Sequence, residues 1–261
     1  MGQLLQQGVS ADAPKQKPTK ESYRPFLRDV YLFSGFPDEA LTQLLDNMQV
    51  KSLSKKQSLF ITGDAATHFY IVVNGWIKLY RETRDGHETV IAMFTNTDIF
   101  GRSAVMKNAE YMYSAQAETD CELLSIPSGF MHHMADNHTH FDHFLTKFLD
   151  GERADFNQKG LEVEHMAHMT SAERLGCFLL RLCAHQKEGS FELQLPYEKS
   201  LVAGRLGMTP ETFSRSLNQL SAFGVETHNS MVKINNIEQL QLRICERCSA
   251  LKSECERGDE A

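Results

Sequence analysis

Hydrophobic and polar positions along the chain change their period twice, which divides it into three stretches. The opening "MGQLLQQGVSADAPKQKPTK" is rich in Gln, Lys and Pro with little to bury, which predicts a disordered arm over residues 1–22. "DEALTQLLDNM" then places Leu41, Leu44, Leu45 and Met48 on one helical face, and the preceding Pro37 suits a first turn. From Leu53 to Pro127 the runs "SLFITGD", "HFYIVVNGWIKLYRET", "HETVIAMFTNTDIF" and "YSAQAETDCELLSIP" are rich in β-branched and aromatic residues. Gly63-Asp64, Asn74-Gly75 and Asp85-Gly86 punctuate them, so short strands of a sandwich or roll are expected. Asp85-Gly86 carries the strongest hairpin signal.

After Pro127 the period becomes helical. Phe141, Phe144, Leu145, Phe148 and Leu149 recur in i, i+3, i+4 order in a run too long to be buried in a small domain. That stripe calls for a partner helix and predicts a parallel homodimer seam. Gly151 and Gly160 argue against an unbroken helix, since each costs about 1 kcal/mol relative to Ala. From Thr170 the chain reads as a helix ("SAERLGCFLLRLCAHQ"), a strand ("FELQLP"), a helix–turn–helix ("EKSLVAGRLGMTPETFSRSLNQLSAFGV") and a hairpin ("VETHNSMVKI") turning at Asn229-Ser230. That order is a winged helix-turn-helix. The expected class is α+β: a β-roll over 23–137, a long dimerisation helix over 138–169, a winged helix-turn-helix over 170–240 and a cysteine-containing tail over 241–261.

Composition narrows the partners. With 41% hydrophobic and 23% charged residues, the 261-residue chain reads as globular, with room for two cores. It has no membrane-length apolar run and no signal-peptide layout, and its six cysteines form no secreted-domain framework, so the cytoplasm is the expected compartment. A net charge of −7 argues against a generally basic coat for nucleic acid but leaves a small local reading surface open.

The helix–turn–helix stretch supplies that surface. Ala203 and Gly207 are small enough for a close helix crossing, and Gly207 is free to take the positive φ of a turn. Thr209 is a good N-cap and Pro210 a good first residue, so the second helix has a sharply defined start. Its first turns present Glu211, Ser214 and Arg215 on one face, with Thr209, Thr212 and Arg205 nearby as further DNA contacts. Arg can pair bidentately with guanine, Glu can accept from cytosine, and Ser can serve either role. The same spacing also allows a plain surface salt bridge between Glu211 and Arg215.

A β-roll, a long helix and a winged helix, in that order over residues 25–240, resemble the CRP/FNR family of bacterial transcription regulators. "PETFSR" (Pro210–Arg215) contains E-x-x-S-R, similar to the recognition motif of the FNR branch, and the stretch around it resembles the nitric-oxide-responsive, DNR-like regulators. The resemblance implies double-stranded DNA, a second copy of the chain and RNA polymerase as partners. It also implies a palindrome of TTGAT-type half-sites read by Glu211, Ser214 and Arg215. The family's nucleotide cassette corresponds to "FGRSAVMKNAEYMYSA". Here Arg102 stands where a ribose-binding Glu is expected, and Tyr113 where a phosphate-binding Arg is expected. An effector pocket would involve Gly101, Arg102, Ser103, Tyr113 and Ser114; the altered pair points away from cAMP, the FNR/DNR resemblance implies redox, oxygen or nitric oxide as the signal, and a cyclic-nucleotide-responsive regulator of the same family is the alternative.

Haem and an iron–sulfur cluster are both candidate cofactors for such sensing. No cysteine precedes Cys121, so a cluster on N-terminal cysteines is excluded. Cys245, Cys248 and Cys255 offer three thiolates where a closed metal or cluster site needs four ligands; the alternative is a terminal helix with contacts from Leu240, Leu242 and Ile244. His132, His133, His138, His140 and His143 form a histidine-rich tract that reads either as a metal site or as a polar corner. Haem would draw on His68, His87 or Cys121 beside Phe60, Phe69, Phe94 and Phe100, which are otherwise core residues. A metal- or redox-binding protein using the tail thiols is the rival from another class. A Gly-rich phosphate loop, a nucleophile elbow and an H-E-x-x-H helix are all missing, so an enzyme is not expected.

Overall fold

A computed structural model of the chain describes residues 19–106, 109–136, 141–183, 189–196 and 198–245. Most of the expected arm lies outside these residues, but its end does not conform to that reading. Lys20–Tyr23 forms a 3-10 turn and Tyr23 is buried, its hydroxyl donating to Glu122 at 2.9 Å. Helices α1 (Arg24–Asp29) and α2 (Asp38–Asn47) follow, and α2 buries Ala40, Leu41, Leu44 and Leu45 as its period requires.

The β region contains β1 (Gln49–Leu53), β2 (Ser58–Phe60), β3 (His68–Asn74), β4 (Ile77–Glu82), β5 (Glu88–Phe94) and β6 (Ile99–Phe100). Helix α3 (Arg102–Met106) precedes β7 (Ser114–Ala117) and β8 (Cys121–Pro127). The strands form two four-stranded antiparallel sheets, ordered β1-β8-β3-β6 and β2-β7-β4-β5, around one core. Asp85-Gly86 turns the β4–β5 hairpin with Gly86 at φ 81°, and Glu82 pairs with Glu88. Aromatic rings pack the roll's interior: Phe60 lies 3.7 Å from Tyr111, and Phe100 lies 5.3 Å from both Tyr70 and Phe94.

Helix α4 (Ser128–Asp136) leads to α5 (Phe141–His168), a single helix of 28 residues, about 42 Å long at the usual rise. Neither glycine breaks it. A Cβ at Gly151 would sit 2.9 Å from the Arg102 guanidinium, so this glycine makes room for an arginine; Gly160 faces open space. The apolar stripe expected to need a partner helix is partly covered within the chain itself. Phe144 and Phe148 are buried in the roll's own core, with Phe144 6.3 Å from Phe36. The large apolar side chains of this helix left outside are Leu149, Phe156 and Val163, at 58%, 79% and 72% exposure and seven residues apart, and Met166 at 44%. No helix among the described residues is long and apolar enough to cross a membrane.

The second unit contains α6 (Ser171–Leu182), β9 (Phe191–Gln194), α7 (Lys199–Arg205), α8 (Pro210–Leu220), β10 (Val225–His228), β11 (Met231–Ile234) and α9 (Ile237–Ile244). β10, β11 and β9 form a three-stranded antiparallel wing, turning at Asn229 with φ 54°. α9 packs Leu240 and Ile244 into this core, whereas Leu242, expected to contribute, is 79% exposed. One side chain in this core comes from elsewhere: Trp76, from the turn between β3 and β4.

Between α5 and α6 the backbone reverses at Thr170, which makes a full capping box: its hydroxyl accepts from the Glu173 N–H, and the Glu173 carboxylate accepts from the Thr170 N–H at 2.8 Å. Thr170→Ala is expected to destabilise the second unit by about 1 kcal/mol, measured by chemical denaturation.

Candidate nucleic-acid interface

The α7–α8 pair is built as its sequence requires. Gly207 adopts φ +62°, and the Met208 N–H returns to the Ala203 carbonyl at 3.0 Å, closing the first helix. A Cβ at Gly207 would meet Met166 of α5 at 2.9 Å, so this glycine admits the long helix as well as forming the turn. Thr209 caps α8 by accepting from the Thr212 N–H at 3.2 Å, with Pro210 in the first turn. Phe213, Ser216, Leu217 and Leu220 form the buried stripe, which leaves Glu211, Ser214, Arg215 and Asn218 exposed on one opposing face. Asn218 extends the predicted trio by one turn.

Among the described residues no ion pair joins Glu211 to Arg215. The Glu211 carboxyl is held below its usual range, first by its own backbone N–H and then by the Thr209 hydroxyl, with Arg215 a weaker cause. The acid is therefore ionised and can accept a hydrogen bond from a base edge. Thr212 is half-buried beside the cap, its hydroxyl 3.2 Å from that of Thr209.

Arg205 does not join this face. Its guanidinium is only 16% exposed and is ion-paired with Glu162 of α5, which also receives Arg181 at 3.3 Å. Burial would raise the Glu162 pKa, but the hydrogen bond and charge of Arg205, followed by Arg181 and Lys159, outweigh it and hold the carboxyl low. Arg205 thus links the reading pair to the long helix. The sequence carried no sign of this, because the two residues lie 43 positions apart.

The start of α7 is also tied down. Glu198, its N-cap residue, pairs with Lys56 at 3.2 Å and Lys55 at 3.9 Å, both from the roll. Lys56 also reaches Glu118 at 2.7 Å, a fully buried carboxylate that Lys78 approaches at 3.2 Å. None of these groups was legible as a site. The single tryptophan following Gly75 was the one available signal of an unusual surface.

The residues expected to form an effector pocket lead in several directions. Gly101, at φ +82°, makes the turn into α3. Arg102 is buried and directs its guanidinium out of the roll toward α5, bonding Glu152 at 2.7 Å and Asp155 at 2.6 Å. Ser103 donates to the same Glu152 at 2.7 Å. Tyr113 lies under Arg81, whose guanidinium is 4.9 Å from the ring, and Ser114 bonds the Thr62 N–H at 3.1 Å. Arg102 and Ser103 therefore form a joint with the long helix, apart from Tyr113 and Ser114.

The metal and haem candidates are dispersed. Cys245 is half-buried at the end of α9, while Cys248 and Cys255 lie outside the described residues. His138 and His140 also lie outside; His133 is exposed, and the His143 ring contacts Ser34 O at 2.9 Å beside Phe36. Among the described residues no three His, Cys, Asp or Glu side chains converge on a metal position. His87 is an exposed turn residue, and the His68 pKa is lowered first by burial and then by Lys51. Burial raises the Cys121 pKa, and its thiol donates to the Trp76 and Thr119 carbonyls at 3.2 Å. Phe60, Phe94 and Phe100 belong to the packed ring stack, and Phe69 is core.

Comparison with known proteins gives this geometry a family. Residues 50–138 match the cyclic nucleotide-binding domain and residues 173–243 the Crp-like helix-turn-helix domain. The regulatory protein HlyX of Actinobacillus pleuropneumoniae is 27% identical, covering 78% of this chain and 85% of its own. The global nitrogen regulator of Synechococcus elongatus is 26% identical over 66% of this chain and 79% of its own. A solved candidate cyclic nucleotide binding protein of Ruegeria pomeroyi is 31% identical with a TM-score of 0.68, covering 87% of this chain and 99% of that one. These relatives are described as regulators or binding proteins rather than enzymes. With a cyclic nucleotide-binding-type roll, a long helix and a Crp-like helix-turn-helix domain in that order, the chain belongs to the CRP/FNR family of DNA-binding transcription regulators.

Proposed function

We propose that the chain acts in the cytoplasm as a homodimeric regulator that reads a palindrome of TTGAT-type half-sites and responds to redox state, oxygen or nitric oxide. The observation that carries the DNA reading is the α8 face. Glu211, Ser214 and Arg215 are exposed together on a helix whose start is fixed by the Thr209 cap and whose other side is buried. Arg205 is left out of the contact set because Glu162 holds it. On this reading residues 23–137 are the sensor, 138–169 the dimerisation helix and 170–240 the DNA reader, with RNA polymerase a further partner and 241–261 a tail.

The dimer is supported by Leu149, Phe156 and Val163. A seven-residue apolar repeat on an exposed helix face, with Met166 beyond it, supplies one of the two heptad positions that a two-stranded coiled-coil seam uses. Two copies joined there would present two α8 helices to successive major grooves, about 34 Å apart. The choice of signal is supported by Arg102, whose cation is neutralised by Glu152 and Asp155, and by the aromatic rings that pack the roll. RNA polymerase contact carries no residue assignment.

Arg215→Ala is expected to cost about 1–3 kcal/mol of binding to a TTGAT-palindrome duplex, measured by fluorescence anisotropy, with much less loss on an unrelated duplex. Equal affinity of variant and wild type for the palindrome would refute the assignment of α8. Phe156→Glu should convert a dimer to a monomer in sedimentation velocity while leaving the circular dichroism of the subunit intact. Titration with cAMP is expected to give no binding heat at micromolar concentrations, and saturable heat would return the roll to nucleotide sensing.

A further inference from the structure

We propose that Trp76 is a positioning residue for DNA binding, an arm of the sensor roll that enters the core of the reading domain and fixes the direction in which α8 is presented. The inference rests on the reading of α8 given above, and extends it to how that helix is held.

The turn that carries Trp76 is built to project it. Gly75 sits at φ +92°, and a Cβ there would lie 2.5 Å from the Asp120 carbonyl and 2.6 Å from the Cys121 sulfur, so only glycine passes this point. The Trp76 backbone is anchored on both sides. Its N–H donates to Thr119 Oγ1 at 2.9 Å, and its carbonyl accepts from the Glu118 N–H at 2.8 Å. On a free roll an indole in this turn would be a large exposed apolar group. Here it is 6% exposed and clusters with the buried residues of the second unit, joined by Met93 of β5. Its ring N–H donates to the Gln194 carbonyl at 2.9 Å, which satisfies the one polar atom that burial would otherwise penalise.

Gln194 ends β9 and pairs with Met231 of β11, so the indole grips the wing sheet itself. Two further ties act on α7, one at each end: Glu198 to Lys56 and Lys55 of the roll, and Arg205 to Glu162 of α5. Because α7 leads into α8 through the Gly207 turn, these contacts fix the recognition helix relative to the roll. Without them the reading domain would be held by the packing of α7 on β5, the Arg181–Glu162 pair and the α5–α6 junction at Thr170, none of which grips the wing. A dimer must seat both helices about one DNA turn apart, and two loosely tethered readers meet that spacing at a lower effective concentration. Trp76 should therefore contribute to binding of the palindrome and leave recognition of one half-site untouched.

The test uses the full-length chain, in which Trp76 is the sole tryptophan. Its fluorescence should be shielded from a neutral quencher in wild type and become accessible in Glu198→Gln, which loosens the dock while keeping the reporter. Trp76→Ala should lose about tenfold or more on the palindrome and change by less than about twofold on a single half-site duplex. Trp76→Phe keeps the ring but not the N–H donor and should fall between them. Equal losses on both duplexes would mean that the substitution merely damages the reading domain, and unchanged or tighter palindrome binding would mean that the dock does not position α8; either result overturns the proposal. So would a wild-type tryptophan as open to quencher as in denaturant. If wild type binds neither duplex, the α8 reading fails, and the quenching comparison still decides whether the indole is docked.

Discussion

A helix of 28 residues has more surface than the two cores of one subunit can cover, and the rest of the structure is arranged around that excess. The first turns of α5 lie in the roll's core through Phe144 and Phe148. Its middle receives Arg102 and Ser103 at Glu152 and Asp155. Its last turns carry Glu162, which holds Arg181 and Arg205 of the second unit. Left uncovered are the repeat of Leu149, Phe156 and Val163 and, one turn on, Met166. One continuous helix thus touches the roll, the helix that follows Gly101 and the α7–α8 pair.

Charge has a directional role in this arrangement. Lys78 and Glu118 are buried inside the roll, and breaking such a pair by removing one partner typically costs about 3–5 kcal/mol. Lys56 extends the same network outward to Glu198 on the reading domain. The interior of the roll is therefore connected electrostatically, through two lysines and two glutamates, to the N-cap of α7. At the opposite end of α7, the low pKa of Glu162 keeps it charged as a partner for Arg205. Exposed pairs contribute little alone, but here they orient a domain whose core is already engaged by an indole.

Much of this architecture was legible in the sequence, for a physical reason. Period, turn residues and caps are local, and they placed α2, the Asp85-Gly86 hairpin, the α8 cap and the wing where they occur. The exposed face of α8 followed from the same local rule, because a helix start fixed by Thr209 and Pro210 determines which side Glu211, Ser214 and Arg215 share. What could not be read was pairing at long range. Arg205, expected at DNA, pairs with Glu162; Arg102, expected in a pocket, pairs with Glu152 and Asp155; and Phe144 and Phe148, expected on a seam, lie in the roll's core. An apolar stripe announces that it needs covering without naming the cover.

Gly151 illustrates how far one such pairing reaches. By propensity alone a glycine in the interior of a helix is a defect that alanine would repair by about 1 kcal/mol. In this helix the added methyl would press on the Arg102 guanidinium, which two carboxylates hold in place. A shorter residue at 102 would lift that restriction from 151, and a bulkier one at 151 would expel the arginine at 102. The two positions are 49 residues apart and lie in different elements, yet the space that one leaves is the space that the other fills.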